Sequence, residues 1–255
     1  MVETTKIGGP GGKFPATRWS AVLAARSEDA AERTRALGAI TESYWKPIYK
    51  YFRIRWAKPN EDAKDLTQEF FARLIEKDFL ADFDPAKAKL RTFLRVCADR
   101  FASNDAKAAR RLKRGGGAAH VSLDFESAEV ELGRAKISSP AAHSPADMDD
   151  FFEKEFIRSL FGLAVRDLRE FCESRGKQVH FRLFERYDLD DGGSDRAGYA
   201  ELAREFGIAP TDVTNYLAFA RREFRRIALD KLREMTASDA EFRREAKSLW
   251  GVVPE

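Results

Sequence analysis

Between Leu90 and Arg114 the chain reads LRTFLRVCADRFASNDAKAARRLKR. The cations Arg91, Arg95, Arg100, Lys107, Arg110, Arg111, Lys113 and Arg114 are opposed there only by Asp99 and Asp105. Arg and Lys at this density neutralise several phosphates at once, the usual electrostatic basis of nucleic-acid binding. Leu90, Phe93, Leu94, Cys97 and Phe101 recur through the stretch at helical spacing. One face therefore anchors the helix on its own domain, and the cations are expected to point outward. A solvated basic face is the commoner use of a charge run. The excess here sits in a chain whose formal net charge is only +3, which favours an anionic partner.

A second constellation lies in YAELAREFGIAPTDVTNYLAFARR, residues 199–222. Leu202, Ala203 and Phe206 form the inner face of a short helix. Gly207 permits a left-handed turn, Ile208 plugs the corner, and Pro210 suits the first turn of the next helix. Val213, Leu217, Ala220, Phe224 and Ile227 run down that helix's buried side. Short helix, glycine turn, second helix is the helix-turn-helix pattern. Thr211, Asp212, Thr214, Asn215 and Ala218 then face outward, followed by Arg221 and Arg222. Thr and Asn hydrogen-bond base edges, and arginines reach phosphates or guanine. A helical hairpin serving only a core is the plainer alternative.

A third group, Asp62, Asp65 and Glu69, shares one helical face. Carboxylates so placed raise a metal-dependent enzyme, but no Glu-x-x-His motif accompanies them, and His120, His143 and His180 are scattered. Charge contacts to a partner protein suit them better. The loop beginning Asp188-Leu189-Asp190-Asp191-Gly192-Gly193 has Gly192 and Tyr199 where a calcium loop needs oxygen ligands, so it reads as solvated. No nucleophile elbow, phosphate loop or dinucleotide fingerprint is present, so the chain reads as a non-enzyme without cofactor or metal.

These residues need helices to hold them, and helical period runs through nearly everything after a Gly-rich start. Trp19, Val22 and Leu23 share a face. Leu37, Ile40, Tyr44, Ile48, Tyr51 and Phe52 mark a long amphipathic helix with Pro47 as a kink point. Leu66, Phe70 and Leu74, with Ile75 beside them, point inward from the next. The expected fold is all-α: a disordered tail at 1–13, an N-terminal helical domain at 14–118, and a flexible acidic linker at 119–150. A helix-turn-helix domain at 151–236 and an extension at 237–255 complete it. The chain has 255 residues, 44% hydrophobic and 34% charged, which suits soluble helical domains of this size. Cys97 and Cys172 read as small buried hydrophobes in a reducing setting. With no membrane-spanning run and no signal-peptide core, a cytoplasmic location is expected.

The order of these motifs resembles bacterial RNA polymerase sigma factors of the extracytoplasmic-function (ECF) group, over about residues 36–113 and 155–233. EDAKDLTQEFF (residues 61–71) is similar to the family's acidic, Gln-containing helix. The loop with Phe83-Asp84-Pro85, the basic helix and the closing helix-turn-helix follow in the family's order. The resemblance implies a region-two helical bundle and a region-four helix-turn-helix domain, with core RNA polymerase and promoter DNA as partners. It assigns polymerase binding to Asp62, Asp65, Leu66, Gln68, Glu69 and Phe70. The basic helix would hold the melted minus-ten strand, its cations on phosphates and Phe79, Phe83 and Phe93 against unstacked bases, Phe93 being equally suited to the core. Thr211 to Arg222 would read the duplex minus-thirty-five element. Phe93 stands where the family often has Trp, and Arg100 where it often has Asn.

The acidic stretch 119–150 is expected to lie on a basic surface, of this protein or of polymerase, when DNA is absent. An anti-sigma factor or other regulator is a further expected partner. The rival functions are a helix-turn-helix repressor or activator working without polymerase, and a relative that only sequesters a partner.

Overall fold

The computed structural model describes residues 20–76, 79–109, 123–134, 144–190 and 197–251. The expected tail at 1–13, Trp19, Arg110, Arg111, Lys113 and Arg114 lie outside the described residues, as does the loop at 191–196. Every regular element described is helical: α1 (Ala21–Ala24), α2 (Ala30–Arg55), α3 (Asn60–Glu76), α4 (Leu90–Ala109), α5 (Phe125–Arg134), α6 (Pro145–Glu173), α7 (Gln178–Phe184), α8 (Tyr199–Phe206), α9 (Pro210–Glu234) and α10 (Asp239–Trp250). A 3-10 turn at Phe79–Asp82 precedes α4, and a π-helical turn at Glu185–Leu189 follows α7. The all-α expectation is met. Among the described residues no helix is long and apolar enough to cross a membrane.

Helix α2 is the hub. Asp29 caps it, its carboxylate accepting from the Ala31 and Glu32 amides. The stripe from Leu37 to Phe52 is buried as its spacing predicts, and the helix runs on through Pro47. Trp45 and Tyr49 are buried too, on a second face, because α5 and α6 cover the side that a one-faced helix would leave wet. In the short α1, Val22 is buried but Leu23 is exposed. Ile75, near the end of α3, is 47% exposed, since its neighbour Leu74 takes the core position.

The linker expected at 119–150 is where the structure differs most. Most of its described residues are helical, in α5 and the start of α6. Helix α5 lays Phe125 against the rings of Trp45 and Tyr49, at 5.5 and 5.0 Å between centroids. Helix α6 starts at Pro145 with a reciprocal capping box between Ser144 and Asp147. The boundary expected between 150 and 151 therefore falls inside one continuous helix.

That helix joins the two ends of the chain. Phe152 packs edge-on against Tyr51, and Phe156 stacks on Tyr44 at 4.9 Å. Further along, α6 packs on α7 and α9, where Phe161 meets Phe224. One cluster of buried apolar side chains consequently runs from α1 to α10. A smaller one (Leu183, Ala197, Leu202, Ala203, Val213 and Leu217) holds the helix-turn-helix.

Candidate nucleic-acid interface

The basic helix α4 shows how its cations are disposed. Leu90, Leu94, Cys97 and Phe101 are buried as expected, joined by Ala98 and Ala102. The buried Cys97 thiol is pushed up to about 11, which leaves it an inert apolar group. Arg91 does not point outward. It is 5% exposed, forked onto both oxygens of Glu153 at 2.6 Å, and Nη2 also reaches Glu245 at 2.7 Å. Lys89 holds the other Glu245 oxygen at 2.5 Å.

Arg95, one turn on, forms an ion pair through Nε with Asp149 at 2.5 Å and donates from Nη1 to Asp99 at 3.1 Å. Asp99 also accepts from Tyr51 and from the indole of Trp56. Burial pushes the Tyr51 phenol up to about 12, so it stays a donor there. The expectation that Arg91 and Arg95 line an open cationic track is thus corrected. Carboxylates of α4, α6 and α10 neutralise them. Arg100 is exposed. Lys107 lies on α4, and its side chain is outside the described residues.

The base-stacking candidates fare similarly. Phe83 is buried and rests against the half-buried Phe93, with ring centroids 5.2 Å apart. Arg26 fastens this loop, its guanidinium donating to the carbonyls of Leu80 and Phe83. Phe83 is a core residue. The side chain of Phe79 lies outside the described residues.

Acidic residues of the stretch 119–150 do lie on a basic surface of this protein. Glu129 accepts from Arg53 at 2.7 Å and from the Tyr49 hydroxyl at 2.6 Å. Glu131 takes Lys46 and Lys50, at 2.7 and 2.5 Å. Lys50 continues inward to Glu155 at 2.6 Å, and this last pair is nearly fully buried at 3% and 2% side-chain exposure. The Arg53 hydrogen bond holds the Glu129 carboxyl below its ordinary value. Burial would raise Glu131, but Lys46 and Lys50 outweigh it and hold it low.

The helix-turn-helix is built as its residues specify. Gly207 ends α8 with φ 64 and ψ 37, and its amide donates to the Ala203 carbonyl. Pro210 opens α9 at its first turn. Leu202, Ala203, Val213 and Leu217 are buried between the two helices, with Ile208 packed against them. Thr211, Thr214, Asn215, Ala218, Arg221 and Arg222 share the exposed side of α9. Arg221 is committed: Nε and Nη2 each donate to Asp188 at 2.8 Å. Arg222 projects further, 68% exposed, with Glu223 at 3.4 Å.

Helix α3 divides in two. Asp62 and Asp65 are exposed, and Gln68 and Glu69 are partly so, with Glu69 bonded to Arg73. Leu66 and Phe70 are buried, Phe70 against the rings of Phe52, Phe71 and Phe101. Neither side chain can touch a partner directly; they fix the helix whose polar face could.

Sequence reasoning passed over Glu153, Glu245, Lys50 and Glu155. One signal was available. Asp149 and Glu153 are four residues apart, as are Arg91 and Arg95, so two complementary ladders on two helices can pair. Among the described residues no group of three or more His, Cys, Asp or Glu could hold a metal ion. Comparison with protein-family models, with curated proteins and with solved structures returns no match.

Proposed function

We propose that this chain directs bacterial RNA polymerase to promoters, as a sigma factor of the ECF type. The observation that carries the DNA side of the proposal is the α8–Gly207–α9 unit, which presents Thr211, Thr214 and Asn215 on the exposed first turns of α9. Those first turns are the part of such a helix that enters a major groove, and hydroxyl and amide side chains read base edges there. Arg222 beyond them suits a flanking phosphate.

The polymerase side rests on the order of motifs and on α3. Its exposed acidic face, Asp62, Asp65, Gln68 and Glu69, stands on a helix held rigidly from behind by Leu66, Phe70 and Phe71. A rigid charged face suits recognition of a basic partner surface. In functional terms the α2–α4 portion is the region-two-like half and the α7–α9 portion the region-four-like half.

Arg91 and Arg95 are engaged by carboxylates, so a melted strand on the described part of α4 would be met by the exposed Arg100. A repressor or activator that works without polymerase shares the α9 surface but has no use for the acidic face of α3. The test is binding to purified core RNA polymerase at one-to-one stoichiometry, with Asp62→Lys/Asp65→Lys as the disrupting variant. A chain that ignores core while binding duplex operator DNA as a dimer would be the rival regulator.

A further inference from the structure

Two ion-pair ladders cross at the start of α4. On α4, Arg91 and Arg95 are one turn apart, and on α6 Asp149 and Glu153 are one turn apart. They pair in antiparallel order: Arg91 with Glu153, Arg95 with Asp149. The third anion comes from the far end of the chain. Glu245 of α10, 8% exposed, is gripped on one oxygen by Lys89 and on the other by Arg91. Planar guanidinium forks bind carboxylate and phosphate in the same bidentate way. Glu153 and Glu245 therefore occupy Arg91 as phosphate oxygens of a nucleic-acid strand would.

The element carrying Glu245 is small and separately attached. Helix α10 has twelve residues, begins after a turn at 235–238, and ends at Gly251 in the left-handed conformation. Ser238 caps it, and Glu241 returns to the Ala237 amide. Phe242 and Ala246 hold it in the core, Trp250 lies near Phe161, Arg233 of α9 pairs with Asp239 and sits over the Phe242 ring, and Glu245 makes the ion pairs to α4. An isolated helix of this length is marginal in water, so α10 depends on that docking. A buried ion cluster adds little net stability, because desolvation offsets most of the attraction. Exchanging its carboxylates for phosphates leaves the cations paired, so the cluster suits a contact in which one anion replaces another.

We propose that α10, together with the first turns of α6, is an intramolecular clamp on α4, holding Arg91 closed to nucleic acid until α10 leaves. The proposal rests on the promoter-directing function given above, since it supplies that function with an off state. The anion that replaces the carboxylates is the backbone of a single strand.

The test uses the full-length chain and a labelled single-stranded DNA of about 16 nucleotides. Kd is measured for the unaltered protein, for Glu245→Gln and for Glu153→Gln/Glu245→Gln. A clamp closed in nine molecules of ten lowers apparent affinity about tenfold, so the variants should bind about tenfold tighter. Equal or weaker binding by folded variants overturns the clamp. If the variants fail to fold, the unaltered protein decides by amide hydrogen exchange. Saturating DNA should raise exchange in α10 and leave the interior of α9 protected, and unchanged α10 protection overturns the clamp. Core-polymerase binding, scored in parallel, separates the two proposals. A chain that joins core but gains no strand affinity loses only the clamp. A chain that gains affinity yet ignores core loses the polymerase function.

Discussion

Arg91 and Glu245 stand 154 residues apart in the chain and meet at 2.7 Å, Nη2 donating to Oε2. The contact ties the first turn of the basic helix α4 to the last helix described. Burial alone would push the Glu245 carboxyl up. The Lys89 hydrogen bond and the Arg91 charge outweigh it and hold the carboxyl below the ordinary 4.5.

That depression sets a pH dependence. A folded-state value below the unfolded one means that the unfolded chain takes up protons more readily. The stabilisation is therefore present above 4.5 and is lost as pH falls through the lower folded value. Glu129 and Glu131, held low by Arg53 and by Lys46 and Lys50, act in the same direction. Urea midpoints should fall as the pH drops below the ordinary carboxylate range, and Glu245→Gln should flatten part of that fall. A profile unchanged by the substitution would contradict the assignment.

The buried Lys50–Glu155 pair gives an asymmetric prediction. Lys50→Met leaves Glu155 in the core with only Arg158 as a cationic partner, and should cost about 3 kcal/mol. Lys50→Met/Glu155→Leu removes both charges and should recover most of that loss. Chemical denaturation measures both. A single substitution as stable as the starting protein would show that the pair is not desolvated.

Gly207→Ala isolates the turn. A Cβ there would meet nothing within 4 Å, so the only penalty is left-handed backbone, φ 64. The expected cost is about 1 kcal/mol, read from the denaturant midpoint, with the fold retained. No measurable change would mean that the turn relaxes to another conformation.

The exposed face of α9 separates stability from recognition. Thr214→Ala and Asn215→Ala should leave stability within about 0.5 kcal/mol, because both side chains are exposed. Binding to a duplex selected from a random pool should lose roughly 1–3 kcal/mol of base discrimination where a residue makes a base contact. Arg222→Ala should instead weaken all duplexes alike and lower the salt slope by about one. Discrimination untouched by both base-edge substitutions would remove α9 as the reading helix.

Local signals carried the parts of this fold that local chemistry determines. Gly207 and Pro210 mark the helix-turn-helix turn within four residues, and the stripe from Leu37 to Phe52 marks the buried face of α2. What the sequence hid depends on partners far away in the chain. The acidic run at 119–150 reads as a flexible linker because Glu129 and Glu131 find their specific partners Arg53, Lys46 and Lys50 only after folding. With those charges neutralised, Phe125 and Ala128 dock α5 in the core, with Leu132 packed beside them. Arg91 adjoins a core leucine and reads as outward-facing, until Glu153 and Glu245 make its burial affordable. Leu66 and Phe70 sit within a motif assigned to a partner, and their apolar side chains are spent on the core.

The central claim is promoter direction. The most direct measurement is run-off transcription by purified core RNA polymerase on genomic DNA fragments, with start sites mapped with and without this chain. Addition of the chain is expected to produce discrete new start sites, lost with Asp62→Lys/Asp65→Lys. Core that binds no chain and starts at the same sites whether or not it is added would contradict the claim.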